Sequence, residues 1–510
     1  MRITFVHLGR EHLGIEYLSA ILKQQGHDVS LAYDPGLFGP EDNVFYIPWL
    51  EKLFDQRRQV ISAIRSAAPG LIAFTVYTGT YQWACGIARE IRQYLEAPIV
   101  FGGIHATLAP ETVIADDNID FVVEGEGFEA LPRLAEILAS GEGRFEDVNN
   151  LWFKKNGVVN RNRMAPPLAD LDALPFPDKA LFEKDVNFID DYMILSSLGC
   201  VFDCSYCCES YLNRLYRHQY YRRRSVASVI EELTVMKARY CFKEVMFNDA
   251  LFFTDKAWLK QLMAEYGKDV NVPFRCFGKV SHLDDDICRL LKEGGCYCIE
   301  FGMQTWNETL KKKVLHRHET NARALEAFKR CDRFGLRYDI DHIFGLPGET
   351  IQDHVAGLRY YSRLKKLNRI KCHNLTYFPN TDIARFAAEN GLLTAEDVDR
   401  LKRGDISDFF HGDAIRDARL KKAKTAFSKC YKWLPVIPKF ILLRLARTGD
   451  CRLFGFIPGP VIILGQLLVA LKGRDYRYLV YLKYYPLRMR RSIGRKLTGD
   501  RVRGGVAGGS

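Results

Sequence analysis

The sequence predicts an α/β protein with an N-terminal doubly wound domain, a partial (β/α)6 barrel and a mainly helical C-terminal region. Three observations predict it. Short apolar runs alternate with amphipathic helical stretches over residues 1–145. The alternation resumes at Tyr192, after the helix-breaking run Leu174-Pro175-Phe176-Pro177. Beyond Pro379 the strand pattern stops, and longer helical and apolar segments follow. A chain of 510 residues exceeds one ordinary core. Its 47% hydrophobic content suits a chain that folds along most of its length.

In the first domain, residues 3–8 read as a strand. Residues 13–24 read as a helix with Leu13, Tyr17, Leu18, Ile21 and Leu22 on one side, and Gly26 ends it. Strands follow at 29–32, 71–76, 99–101 and 121–123, with helices at 60–66, 83–95 and 130–138. This order builds an open, mostly parallel sheet that binds ligands at the carboxyl ends of its strands. The loops expected there are small or polar: 9–14, 75–80, 102–107 and 124–127. Glycine lets a backbone approach a large ligand closely. No Gly-x-Gly-x-x-Gly follows the first strand, which disfavours a nicotinamide or flavin dinucleotide.

Residues 146–190 read as a linker. Asn156-Gly157 between apolar pairs signals a hairpin. A barrel follows over 191–385, with strands expected at 194–198, 244–247, 274–277, 297–301, 337–344 and 370–377 and helices between them. Active residues of such barrels sit at the strand ends. Immediately after the first strand come Cys200, Cys204 and Cys207. Thiolates are the ligands that iron–sulfur clusters prefer. Three on one loop can hold three irons of a [4Fe–4S] cube and leave the fourth iron open for a small molecule. No second Cys-x-x-Cys pair accompanies them, as a zinc ribbon requires. Cys208 reads as a spare thiol, and Cys296 and Cys298 as same-face strand residues.

These residues resemble the cobalamin-binding radical S-adenosylmethionine (SAM) enzymes. In the first domain the likeness lies in Leu13-Gly14-Ile15-Glu16-Tyr17-Leu18, in Gly102-Gly103-Ile104-His105-Ala106-Thr107 and in Val123-Glu124-Gly125-Glu126-Gly127. In the barrel it lies in the cysteine motif with Tyr206 before its last cysteine, in Phe247-Asn248-Asp249, in Gly302-Met303-Gln304-Thr305 and in Phe344-Gly345-Leu346-Pro347-Gly348-Glu349-Thr350. The resemblance implies a [4Fe–4S] cluster on Cys200, Cys204 and Cys207. It implies SAM beside Asp249, Gln304 and Gly345, with Gln304 standing where relatives often carry glutamate. It implies cobalamin against Gly14, Thr75, Gly102, Gly103, His105, Glu124, Gly125 and Gly127. The Asp-x-His-x-x-Gly of many B12 domains is absent, so the lower cobalt ligand stays unassigned. The implied activity is methyl transfer to an unactivated carbon of a small or lipid-like substrate, with flavodoxin or ferredoxin as electron donor. B12-assisted cyclisation or oxidation without net methylation, and a noncatalytic cobalamin or iron–sulfur sensor, stay open beside it. No catalytic acid or base is assigned. His316, His318, His342 and His373 are interior or rim candidates, and Tyr206, Tyr338 and Tyr377 are possible donors with packing as the alternative.

Residues 386–510 read as a helical region. An apolar segment at 454–471 is broken by Pro458, Gly459 and Pro460, which favours an interfacial hairpin over a span. A helical cap on the barrel or a dimer surface is the alternative. The formal net charge is +11, with Arg488, Arg490, Arg491, Arg495 and Lys496 near the end. Basic residues beside apolar segments point to a membrane surface rather than nucleic acid. The tail from Lys496 is expected to be flexible. The N-terminus reads as a strand rather than a leader, and the free cysteines suit a reduced, cytoplasmic setting.

Overall fold

The computed structural model describes residues 1–40, 45–405, 417–473 and 476–504. They form two compact units. One holds residues 1–187 with segments from 377 and from 483 onward, and the other is built around residues 188–376.

The first unit is a seven-stranded sheet in the order β2-β1-β3-β4-β5-β6-β7. Five strands run parallel: β1 (Arg2–Leu8), β2 (Asp28–Asp34), β3 (Leu71–Thr75), β4 (Ile99–Gly102) and β5 (Phe121–Val123). The central strands are apolar on both faces because helices cover both faces, and Ile3, Leu71, Ile72, Ile99 and Phe101 are fully buried. The helix Leu13–Gln24 starts where His12 Nδ1 accepts the Ile15 N–H at 3.3 Å.

The expected hairpin forms, but it is part of the sheet rather than of a linker. Its strands β6 (Leu151–Lys155) and β7 (Val158–Arg161) extend the edge antiparallel to β5. The reason is packing, since Leu151 and Phe153 are fully buried. The chain also returns to this unit after the barrel. Asn380 Nδ2 donates to the Leu108 carbonyl at 2.6 Å, the Gln82 amide donates to the Arg403 carbonyl, and Tyr485 Oη accepts the Phe38 N–H at 3.1 Å. The helices Asp382–Glu389 and Ala395–Lys402 therefore belong with the first unit, so the barrel ends earlier than residue 385.

The second unit opens with β8 (Tyr192–Ile194). A break at residues 195–196 separates it from β9 (Ser197–Leu198), which pairs antiparallel with β10 (Arg222–Arg223). The expected first barrel strand is thus split. The main sheet continues through β11 (Val245–Phe247), β12 (Phe274–Gly278), β13 (Cys296–Gln304), β14 (Arg337–Phe344) and β15 (Leu367–Asn374). Its order is β15-β14-β13-β12-β11-β8, all parallel, which is the six-stranded partial barrel. Phe301 meets Phe328 of the helix Asn321–Phe334 edge to face and Tyr338 stacks on it, so their strand neighbours face the interior.

Helices of the C-terminal region join this unit, among them Ala418–Trp433, Lys439–Thr448 and Gly459–Gly473. The long helix expected from Ala414 begins at Ala418, and residues 406–416 lie outside the described residues. The apolar segment is a short helix ending at Gly455 and a second starting at Gly459. Among the described residues no helix is long and apolar enough to cross a membrane. The last helix, Tyr476–Gly504, runs well past Lys496, where a flexible tail was expected, and residues 505–510 lie outside the described residues.

One buried charge cluster ties the segment after the hairpin to the first unit. Lys179 is fully buried, with Nζ 2.9 Å from Glu16 and also paired with Glu11. Burial alone would lower the ammonium, and the two carboxylates outweigh it and hold it protonated. Replacing Lys179 by Ala would leave two carboxylates uncompensated. It should destabilise this unit by about 3–5 kcal/mol, read as a lower denaturation midpoint.

Candidate functional site

In the first unit the ligand end of the sheet is built from backbone. Gly103 has φ +90°, and a Cβ there would lie 2.8 Å from the Val76 carbonyl oxygen. Only glycine lets this loop fold back on the neighbouring strand end. The His105 N–H donates to that carbonyl at 3.0 Å. Thr107 Oγ1 donates to Gly103 O at 3.0 Å and accepts the Gly125 N–H at 2.9 Å. Thr75, Gly102, Gly103 and Gly125 are thereby brought together. Gly127 sits against Leu18 of the helix that carries Gly14.

Two expected ligand side chains turn into the protein. His105 is fully buried, with Nδ1 3.1 Å from Thr78 Oγ1 and its ring 4.3 Å from that of Tyr81. Burial pushes its pKa down to about 4, so it is neutral. Glu124 accepts from the Trp152 indole N–H at 2.7 Å and from Arg161 at 3.2 Å.

In the second unit, Gly199 leads into the cysteine loop with φ +87°, and a Cβ would meet the Tyr220 carbonyl oxygen at 2.5 Å. Cys204 is buried, and Cys200 and Cys207 are half-buried. The Cys207 N–H donates to Cys204 O at 3.0 Å. Cys207 also caps the helix Cys208–Leu215, whose positive end favours a thiolate. Ser205 fastens the loop, its N–H donating to Leu315 O at 3.2 Å and its hydroxyl to Val314 O at 2.5 Å. Burial pushes the Cys200 thiol up to about 11, raises that of Cys207, and pushes Cys208 up to about 12. Thiolates here therefore need a positive partner.

That partner is a charged group not expected from the sequence. Arg317 Nη1 lies 3.8 Å from Cys204 Sγ and 3.2 Å from Tyr206 Oη. Arg317 also donates to Glu319 at 2.6 Å and to Gly302 O at 2.5 Å. Lys279 lies 3.6 Å from Glu319 and 3.3 Å above the Phe202 ring inside the loop. The signal available in the sequence was alternation. His316 and His318 are exposed, while Arg317 and Glu319, which alternate with them, are buried.

Gln304 ends β13 with φ +64°, a conformation a non-glycine side chain adopts at a cost. It is nearly fully buried, and its Oε1 has no partner among the described residues. A Cβ on Gly302 would lie 2.5 Å from Gln304 Nε2 and 3.7 Å from Arg317 Nη1, so the three cluster together. Asp249 is fully buried and occupied by protein: it accepts from the Ser196 hydroxyl at 2.7 Å, the Ser197 hydroxyl at 2.5 Å and the Ser196 N–H at 3.1 Å. Gly345 turns the chain after β14 with φ +86° and donates its N–H to Glu349 at 2.7 Å. Glu300 faces inward and pairs with Lys371 at 2.5 Å, and Asp341 pairs with His373 at 3.4 Å. His342 lies on the opposite face of β14. Tyr338 and Tyr377 are buried core residues.

Residues 9–135 match the family described as the B12 binding domain, and residues 194–360 match the radical SAM superfamily. The chain belongs to the radical SAM enzymes that carry a B12-binding domain. It is similar to an uncharacterized methyltransferase of Pyrococcus horikoshii, 26% identical over 75% of this chain and 79% of that protein. Its fold is similar to that of the radical SAM methyltransferase TsrM from Kitasatospora setae, with TM-score 0.64 and 16% identity over 93% and 99% of the two chains. It is also similar to the cobalamin-dependent SAM radical enzyme OxsB, with TM-score 0.66 and 14% identity over 100% and 82%.

The residues present fit the cofactors of this class of enzyme. Three thiols on one loop, backed by Arg317 and Lys279, suit an anionic [4Fe–4S] cluster. The orphaned amide oxygen of buried Gln304 beside them suits a polar ligand such as SAM, and the glycine-lined strand ends of the first unit suit a corrin.

Replacing Cys200, Cys204 or Cys207 by Ala should abolish the brown absorbance of the anaerobically reconstituted protein, and Cys208→Ala should keep it. Arg317→Gln should keep the iron but move the cluster potential downward in a spectroelectrochemical titration, because a nearby cation stabilises the reduced, more negative cluster.

Proposed function

We propose that the chain is a cobalamin-dependent radical SAM methyltransferase acting on an unactivated carbon. The observation that carries this reading is the cysteine loop with its Arg317–Lys279 cations, set beside the strained, unpartnered Gln304 in a chain that also holds a B12-binding domain. When bound, the cluster and SAM supply a 5′-deoxyadenosyl radical, and cobalamin supplies the methyl group. The chain's own residues bind and orient. Cys200, Cys204 and Cys207 would hold the cluster, and Gln304 and the Gly345 turn would contact SAM. Asp249 fixes Ser196 and Ser197 at the foot of the loop. Lys371–Glu300 and Asp341–His373 offer polar contacts to substrate inside the barrel. In the first unit, the backbone at Thr75, Gly102, Gly103 and Gly125 seats the corrin, and buried, neutral His105 supports that backbone from below. The methyltransferase names of the relatives support methylation over cyclisation, oxidation or sensing.

The substrate class we favour is amphiphilic, taken from an anionic lipid surface. The helix Lys439–Thr448 and the segments around 452–473 expose Phe440 (76%), Leu453 (80%), Phe456, Leu464 and Leu468. Arg444, Arg447 and Lys472 stand among them. Apolar side chains interleaved with cations suit anionic headgroups, at roughly 1 kcal/mol per well-placed cation. An acidic flavodoxin or ferredoxin is the electron donor proposed for a chain of net charge +11.

Given reductant and SAM labelled at its methyl group, the holoenzyme in cell extract should release 5′-deoxyadenosine and move label into an organic-soluble product. Deoxyadenosine without label transfer would favour cyclisation or oxidation, and neither product would favour a sensor. His105→Ala should leave the paramagnetic spectrum of bound Co(II) cobalamin unchanged, since that side chain faces the core. The full chain should float with anionic liposomes at low salt and release at high salt. The Phe440→Asp, Leu468→Asp double variant should stay in the soluble fraction while still cleaving SAM.

A further inference from the structure

Behind β14 lies a second group of convergent donors, on the outer side of the barrel wall and away from the cysteine loop. His342 on β14, Glu349 on the following turn and His354 on the helix Ile351–Tyr361 each offer a ligand atom within 4.8 Å of the others. All three side chains are essentially removed from solvent. Among the described residues, His342 Nε2, Glu349 Oε1 and both ring nitrogens of His354 have no hydrogen-bond partner. His354 Nε2 and Glu349 Oε2 lie 3.8 Å apart, too far for a hydrogen bond. Leaving such atoms buried and unpaired costs about 1–3 kcal/mol each.

We propose that His342, Glu349 and His354 bind a zinc ion. The surroundings are those of oriented ligands. Tyr361 Oη lies 2.9 Å from His342 Nδ1, and when Nδ1–H donates to it the Nε2 lone pair points into the group. The Gly345 N–H holds Glu349 Oε2 at 2.7 Å and leaves Oε1 for the ion. Tyr431 Oη donates to the His354 carbonyl at 2.6 Å and fixes the helix turn that carries the imidazole. Phe344 and Phe427 pack at 5.0 and 5.4 Å from the His354 ring and shield the site from bulk solvent. Two imidazoles and one carboxylate, without thiolate, suit borderline zinc rather than soft copper(I) or hard magnesium. Binding at about 2.0–2.1 Å would draw the three atoms inward, and water would complete the tetrahedron. The ion would pin the Gly345–Glu349 turn to the outer helices.

The test uses the full chain, purified anaerobically with its cluster. Elemental analysis should find about one zinc per chain besides the cluster iron, and zinc-edge X-ray absorption should show nitrogen and oxygen neighbours at about 2.0–2.1 Å with an imidazole pattern. The His342→Phe, His354→Leu double variant should lose the zinc and keep its iron, which reports that the barrel is folded. Tyr361→Phe should weaken zinc binding roughly tenfold against a competing chelator. Should the double variant fail to fold, the absorption spectrum of the unaltered protein decides alone. Less than about a tenth of a zinc per chain after equilibration with zinc and gel filtration, zinc retained by the double variant, or a sulfur shell would each overturn the assignment.

Discussion

Side chains alternate across a parallel strand, and in a barrel the two faces meet different surroundings. On β14, Tyr338 and His342 pack outward on aromatic side chains, while Asp339 and Asp341 face inward. On β15, Arg369, Lys371 and His373 share the inner face. Three cross-strand pairs result: Arg369–Asp339 at 2.8 Å, Lys371–Glu300 at 2.5 Å and His373–Asp341 at 3.4 Å. Burying one such charge alone costs several kcal/mol, so each inward acid requires an inward basic side chain within reach. The inner face is therefore a set of matched charges, and the outer face is where an unmatched polar group such as His354 stands out.

The same alternation explains what was legible in the sequence and what was not. The cysteine motif, the parallel strand order and the glycine loops could be read because each is a local pattern. Apolar runs bounded by glycine report strands whatever their partners. The hairpin at 151–161 was legible as a hairpin but not as the edge of the first sheet, because the Trp152–Glu124 bond that joins it spans 28 residues. Glu124 was nominated by its loop, and only tertiary packing shows its carboxylate turned to Trp152 and Arg161. The return of residues 380–403 to the first unit had no local signal either. It rests on single bonds such as Asn380 to the Leu108 carbonyl. Residue type misled at 316–319, where histidine drew attention and the buried alternates were Arg317 and Glu319.

Asp249 illustrates a different limit. A carboxylate at a strand end is what a ligand site needs and also what a strand end needs. Here Ser196 and Ser197 take its oxygens, and burial raises its pKa while those hydrogen bonds and Arg223 oppose the rise. Gln304 is the converse case. It keeps a left-handed backbone and an unpartnered oxygen, two costs that packing alone does not require. Unrelieved cost at a strand end singles out Gln304 as the ligand-facing candidate, which residue type alone does not.

The two units solve their binding problems with different parts of the chain, and the difference follows from ligand shape and charge. At the ligand end of the first sheet the chain presents backbone, because a Cβ on Gly103 would lie 2.8 Å from the Val76 carbonyl oxygen. A broad, flat corrin needs such a low surface. At the ligand end of the barrel the chain presents charge. Burial pushes the Cys200 and Cys207 thiols upward, so an anionic cluster on this loop needs compensating cations. Arg317 meets that need while spending its remaining donors on Glu319, Tyr206 and the Gly302 carbonyl. A lysine could carry the charge but not the three directed bonds, so the planar guanidinium at this position links the cysteine loop to the end of β13.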